Sequence, residues 1–469
     1  MRRVLFVLSL SVLGFWATSV WAAGSGYTIE AASFLGGSGD DDAVVGVRIQ
    51  ADGAIVLAAN LAADFSKGLT IGQTLGEPGR AGTVVRLSAD GRKILSLLRL
   101  ADKVQDLSSD GKDNLYVAAG ATGAIKLPPQ ADKVLWTRDL EGSCDRIKAG
   151  ADGHAVAVVA GKGGVVLAPD GKPLGVVPGK ALTDACIDTA SRTVVVISFR
   201  NAHAHDGKRR EPVQICCVRG HGYDGQEEWR NYDWSTDQAS DRFINKPTNN
   251  MADTRAYRCT IGRDGKLYVG FESAGGNHIF RYSPTNIMEK GPLVGGDAYH
   301  QFYGGGGAAH RTIFARFDPA TGAIDCAQQW TGRTAENRCT NARMKQGGLA
   351  ADEGGRIFLT GLAGARLPLD PDPCGTEQAA GGPYLLGMTP DFRGRLVCTR
   401  MQEQGGGHAV DARLIDGKVT VVYGGSGAVA GMFVKNAVQP APQGKDGFFV
   451  LLRASPDAPP SNPPAKPMK

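Results

Sequence analysis

The chain lacks a strong charge of either sign: 52 basic and 47 acidic residues leave a formal +5 over 469 residues. So small a balance implies neither nucleic acid nor an acidic surface as partner, and no nucleic-acid partner is expected. Past the first 22 residues no run reaches 18 apolar positions, so no membrane span is expected once a leader is removed. The nine cysteines form no CxxC or CxxCH pattern, which excludes a zinc ribbon, a thioredoxin-type site and a c-type haem. No Asn-x-Ser/Thr sequon occurs, so nothing supports a eukaryotic secretory origin. GxSxG, HExxH and class-A lactamase motifs are absent too. No cofactor and no resident metal are implied.

Glycine and proline, by contrast, are abundant, 65 and 24 residues, and favour turns over helix interiors. Residues 1–22 carry Arg2 and Arg3, an apolar stretch from Val4 to Phe15, and Val20-Trp21-Ala22. This reads as a secretory signal peptide cut after Ala22. A bacterial secreted or periplasmic protein is expected, with some disulfide pairing and at least one cysteine left over. Adjacent Cys216 and Cys217 are expected to point to opposite faces of a strand.

One unit recurs along the chain: a half-alternating strand, an Asp-Gly turn, then a buried strand. It is clearest around Asp52-Gly53, Asp110-Gly111, Asp152-Gly153, Asp264-Gly265 and Asp416-Gly417. Between these hairpins lies a second kind, whose last strand carries Trp136, Trp229 or Trp330. A recurring aromatic there suits packing between neighbouring sheets. Two hairpins make a four-stranded unit. The expectation is an all-β, seven-bladed β-propeller of four-stranded antiparallel blades, in which an N-terminal strand, Tyr27 to Leu35, completes the last blade. The domain would span 23–453, with a Pro-rich, disordered tail over 454–469.

The stretch Ala32-Ser33-Phe34-Leu35-Gly36-Gly37-Ser38-Gly39-Asp40-Asp41, followed by Val45-Gly46-Val47 and Ala51-Asp52-Gly53-Ala54-Ile55-Val56-Leu57, resembles the bacterial seven-bladed propeller repeat of large secreted proteins. That resemblance implies a propeller and secretion, and brings no catalytic residues with it. Asp40, Asp41 and Asp42 are read as capping or solvating a turn rather than binding calcium.

Blades of about 42 residues would use about 295 positions, leaving about 136 of 23–453 as insertions. These fall at 61–82, 200–212, 235–253, 273–311, 362–383 and 424–446, in connections that leave the sheets on one side. Long loops on a rigid scaffold are where binding resides. That face therefore supplies the candidate ligand-binding residues His203, His205, Trp234, Tyr299, His300, Phe302, Tyr303 and His310. Beside a structural envelope or matrix role, for which the short Pro-rich tail from Pro456 would be a spacer, two functions compete. One is a binding module for a glycan, an envelope protein or another ligand. The other is a carbohydrate-active lyase or hydrolase using His203, His205, Tyr299, His300 or His310 near the channel mouth, which convergence of at least two of these with an acid would favour. The fold alone does not choose between them.

Overall fold

The structure is a computed structural model of the chain. It describes residues 26–76, 81–179, 181–205, 210–233, 253–274, 279–286, 289–294, 309–336, 338–369, 381–402 and 404–460. The leader at 1–22 lies outside these.

Almost every regular element is a strand. The chain opens with β1 (Thr28–Leu35), β2 (Ala43–Ile49), β3 (Ile55–Asn60), β4 (Thr74–Leu75), β5 (Gly82–Leu87) and β6 (Ile94–Leu100). A second group holds β7 (Asp106–Ser109), β8 (Leu115–Ala118), β9 (Ala124–Leu127) and β10 (Trp136–Arg138). A third holds β11 (Cys144–Ala149), β12 (Ala155–Val159), β13 (Gly163–Leu167) and β14 (Pro173–Val177). The fourth is β15 (Leu182–Asp188), β16 (Thr193–His205), β17 (Arg210–Gly222) and β18 (Glu227–Asn231). The fifth is β19 (Thr254–Ile261), β20 (Leu267–Ala274), β21 (His310–Phe317) and β22 (Ile324–Trp330), with one 3₁₀ turn at Ile279–Arg281 between β20 and β21. There follow β23 (Gly332–Arg333) and β24 (Cys339–Thr340), then β25 (Ala342–Arg343), β26 (Leu349–Ala351), β27 (Ile357–Ala363), β28 (Gly382–Met388) and β29 (Arg395–Thr399). The chain closes on β30 (Gly406–Ile415), β31 (Lys418–Ala428) and β32 (Asp446–Ala454).

These strands build an all-β propeller, but seven separate four-stranded blades are not what forms. Five blade sheets stand alone, beside the small two-stranded pair β23 and β24: four of four strands, β7 to β10, β11 to β14, β15 to β18 and β19 to β22, and one of five, β25 to β29. The remaining long strands merge into a single nine-stranded sheet, β30 to β32 and β1 to β6, joined where Ala43 of β2 pairs with Ser426 of β31. The expectation of seven blades is corrected on that point. Hairpin signals are local, and a hydrogen-bonded join between the strands of two hairpins leaves no local signal. The five-stranded sheet departs for a similar reason. Its inner edge is split, with β25 and β26 both pairing with β27.

Within the nine-stranded sheet the two ends of the chain meet, β1 pairing with β32 from Thr28↔Arg453 to Leu35↔Gly447. Insertion 61–82 returns as β4, which runs parallel to β6 and covers that sheet's outer edge. Past β32, Arg356 Nη1 donates to Pro456 O at 3.4 Å and Ala458 rests on the neighbouring core.

Turn chemistry explains why the hairpins form where they do. In the turn at 50–54, Asp52 Oδ1 accepts from Ala54 N at 2.9 Å while Gly53 takes φ +80°, a left-handed conformation that favours glycine. Asp152 does the same for His154 N beside Gly153. The core sits between sheets rather than in one centre. Tyr116, Ile147 and Val165 fill the seam between the second and third groups, and Tyr268, Phe314, Trp330 and Tyr384 fill one between the fifth group and the sheet of β25 to β29. The recurring tryptophans act there as expected. Trp136 Nε1 donates to Pro169 O, and Trp229 Nε1 to Pro319 O, each reaching an outer turn of another sheet.

Candidate functional site

In these up-and-down sheets, the connections between the second and third strands, and those between sheets, leave on the face opposite the Asp-Gly turns. The sequence assigns its candidate residues to the face bearing the insertions, and the structure describes few of them. Trp234, Tyr299, His300, Phe302 and Tyr303 lie outside the described residues. His203 and His205 belong to β16, opposite Pro212 and Arg210 of β17, but their side chains lie outside the description. Segment 200–212, expected as a loop, is largely a ribbon: β16 and β17 run 13 residues each, past the last partner of β15 at Ser198. Ala202, Val213 and Ile215 of that ribbon are buried against Phe271 and Phe280. Few of its residues favour strands, and it is packing over the next sheet that holds it extended.

His310 is fully placed. It opens β21, its backbone N–H donates to Asn341 Oδ1 at 2.7 Å, and its ring Nδ1 lies 3.1 Å from Glu272 Oε1. Glu272 is only 1% exposed and also accepts from Arg343, Nε at 3.1 Å and Nη2 at 3.0 Å. Burial raises the Glu272 pKa, but the contacts with His310 and Arg343 outweigh it, and the carboxyl is held below its ordinary range. Glu272 is thus an ionised anchor for Arg343 rather than a proton donor. Beside it, Phe199 and Tyr257 meet edge to face with centroids 6.0 Å apart, and the Arg255 guanidinium lies 5.9 Å from the Phe199 ring.

Arg343 forms one wall of a groove of about 220 Å³, continued by Lys345, Gln346 and Gly347 and completed by Gly361, Leu362, Gly406 and Gly407. Leu362 is 45% exposed. Glycine is required on this floor: a Cβ at Gly347 would lie 1.9 Å from Thr360 O, and one at Gly361 2.3 Å from Arg343 O. Close backbone approach therefore shapes the groove.

The second concavity is the axial channel, walled by the inner strands. Towards the insertion face it is lined by Arg48, Asp106, Arg146, Lys148, Asp184, Arg258 and His408 among others, around a cavity of about 40 Å³. A further cavity of about 90 Å³ follows, with Arg48 and Lys148 in both walls and Arg263 and Asp411 below. The channel acids staple inner strands together. Asp106 accepts from Ile147 N at 3.2 Å, Asp184 from Cys259 N at 3.2 Å, and Asp411 from Ile49 N at 2.8 Å. Lys148 Nζ reaches Asp106 at 2.6 Å, and Arg263 Nη2 reaches Asp411 at 2.9 Å. Burial works to raise the Asp106 pKa, but Lys148 and Arg146 hold it below the usual carboxylate value.

These groups escaped the reading of the sequence, although a signal existed. A basic residue recurs inside four of the inner strands, β2, β11, β19 and β30, as Val47-Arg48-Ile49, Asp145-Arg146-Ile147, Tyr257-Arg258-Cys259 and Ala412-Arg413-Leu414. Of the acids at 40–42, Asp42 caps a turn. Asp42 accepts from Gly37 N and Ala62 N, both at 2.6 Å, and Asp41 pairs with Lys103 at 2.9 Å. Among the described residues, no three metal-ligating side chains converge. The eight described cysteines are free thiols. Cys216 packs in a core cluster while Cys217 Sγ donates to Ile215 O at 3.6 Å, and burial raises both pKa values.

No family model and no curated protein matches the chain. The resemblance to the bacterial seven-bladed repeat family is therefore corrected, since neither a family match nor seven separate sheets accompanies it. Among solved structures the chain is similar to the β-propeller domain of Cps50 (Swd1) from Myceliophteria thermophila, at 9% identity and a TM-score of 0.45, covering 81% of this chain and 93% of that one. It is also similar to BamB from Moraxella catarrhalis, at 11% identity and a TM-score of 0.41, covering 91% and 99%. The class of protein is an all-β propeller, which its own sheet topology defines. No helix among the described residues is long and apolar enough to cross a membrane.

Proposed function

We propose that the protein is an extracytoplasmic binding module whose ligand, a glycan or an envelope protein, docks on the insertion-bearing face. The observation that carries this reading is the groove of about 220 Å³ beside Arg343, Lys345 and exposed Leu362. It combines an apolar contact, two cationic side chains and backbone brought close by glycines, which suits a shallow polar segment with one apolar group. The leader-like residues 1–22 support export, and the absence of strong net charge suits a surface chosen by shape. Glu272 favours binding over acid catalysis, because a carboxylate kept ionised beneath Arg343 has no proton to give.

The test is a screen of the protein on glycan, envelope-polymer and envelope-protein arrays, run beside Leu362→Asp and Lys345→Glu variants. The expected result is a bound ligand that is neither shortened nor unsaturated, with affinity at least about tenfold weaker in Leu362→Asp. Undiminished binding by both variants would remove the groove from the reading, and turnover of a bound polymer would replace the module with an enzyme.

A further inference from the structure

We infer that the insertion-face end of the axial channel is a second binding site, selective for a small oxyanion of the phosphate or carboxylate kind and distinct from the groove. The cavity there is lined by four cations, Arg48, Arg146, Lys148 and Arg258, against two carboxylates, Asp106 and Asp184. Both carboxylates are already engaged. Asp106 takes Lys148 Nζ together with the backbone N–H groups of Leu107 and Ile147, while Asp184 takes those of Ala185 and Cys259.

Three guanidinium groups remain, and their hydrogen bonds go to backbone carbonyls alone. Arg48 Nη1 donates to Val47 O at 2.7 Å, and Arg146 Nη1 to Gln105 O at 3.3 Å. Arg258, only 8% exposed, donates to Gly347 O at 2.5 Å, Tyr257 O at 2.6 Å and Lys345 O at 3.1 Å. A carbonyl offers a dipole but not a counter-charge, and although Asp106 and Asp184 act on these groups through space, four cations face two carboxylates, so the site keeps an excess of positive charge. The cost is visible at Arg258, whose pKa burial and the neighbouring Arg146 push down to about 10. An oxyanion between the three would supply the missing charge and accept from N–H groups that carbonyls leave over, since each guanidinium has five donors.

Size and position fix the class. Cavities of about 40 and 90 Å³ hold a small ion with a few waters rather than a sugar chain or peptide. Low-dielectric walls on the propeller axis focus the positive field along the channel. His408 adds a neutral polar rim. Its Nδ1 lies 3.3 Å from Gln346 O and its Nε2 2.7 Å from Ser426 Oγ, and burial, then Arg258 and Arg146, lowers its pKa.

The experiment is a titration of the full chain with inorganic phosphate and, separately, with malonate, at constant ionic strength balanced by chloride, read as heat of binding and as shift in unfolding midpoint. The expected result is saturable binding of at least one anion, weakened about tenfold or more in Arg146→Gln and in Arg48→Gln. Arg192→Gln, which removes an arginine stacked 4.5 Å from the Tyr223 ring away from the channel, should bind as the parent does. Phosphate binding alone would mark a phosphoryl ligand, and malonate binding alone a carboxylate. No saturable binding of either anion, or equal binding by the parent and both channel variants, would overturn the inference. The titration needs no groove ligand, so its failure is separable from failure of the docking proposal.

Discussion

At Gly322 two demands meet in one residue. Its φ is +68°, and a Cβ there would lie 2.4 Å from the Trp229 ring, whose indole donates to Pro319 O across the seam. Gly417 has a similar φ, +71°, with nothing within 4 Å of its Cβ position. Gly417→Ala should therefore cost about 1 kcal/mol, the backbone penalty alone. Gly322→Ala should cost roughly 2–4 kcal/mol, since the ring must also move. Urea unfolding of the two variants side by side checks the difference, and equal losses would mean that the tryptophan contact carries no weight. His408 governs a second outcome. Its lowered pKa means that the folded state disfavours the imidazolium, so its contribution is complete above the unfolded value of about 6.5 and is lost as pH falls from there towards the folded value. Stability measured from pH 7 to pH 5 should fall less steeply in His408→Asn than in the parent. His221, also lowered by burial, keeps its own slope in both.

Among the elements, the inner strands are held to one another by side chains as much as by packing. Asp411 joins β30 to β2 through Ile49 N and to Arg263. Burial works against the Arg263 charge, yet Asp411 and Glu353 outweigh it and raise its pKa. Asp411→Ala leaves a largely buried guanidinium with carbonyl acceptors but without its paired carboxylate, and the buried Ile49 N–H without its acceptor, and should destabilise by about 3 kcal/mol, readable as a lower urea midpoint. Strand β1 offers a parallel test. Ala32 pairs with Val450 and its N–H donates to Lys435 O at 2.8 Å. Ala32→Pro should loosen both that strand and segment 432–439 resting on it, which amide exchange would report as joint loss of protection at the two ends of the chain. Asp-Gly turns were legible in the sequence because Asx acceptance and positive φ are properties of two adjacent residues. The ribbon of β16 and β17 was not legible, since Ala202 and His203 carry no strand signature and the partners that bury Ala202 and Val213 lie in another sheet.

For the whole molecule, alternation and turn spacing disclosed an all-β propeller of antiparallel sheets, and the side on which its insertions emerge follows from connectivity. The merging of the terminal and first sheets through Ala43 and Ser426 depends on how the ring closes, which no local pattern encodes. Much the same holds for function. His310 was legible as a residue of the insertion face, but its partner Glu272 and the groove beside Arg343 arise from three strands that only the fold brings together. The inner-strand arginines were legible as a recurrence and acquire meaning only when the ring turns them towards one axis. The most direct measurement is amide hydrogen exchange of the full chain with and without the ligand found by array. Docking on the insertion-bearing face predicts new protection at 343–347, 361–362 and 406–407, with the turns around Gly53, Gly153 and Gly265 unchanged. Protection confined to those Asp-Gly turns would contradict it.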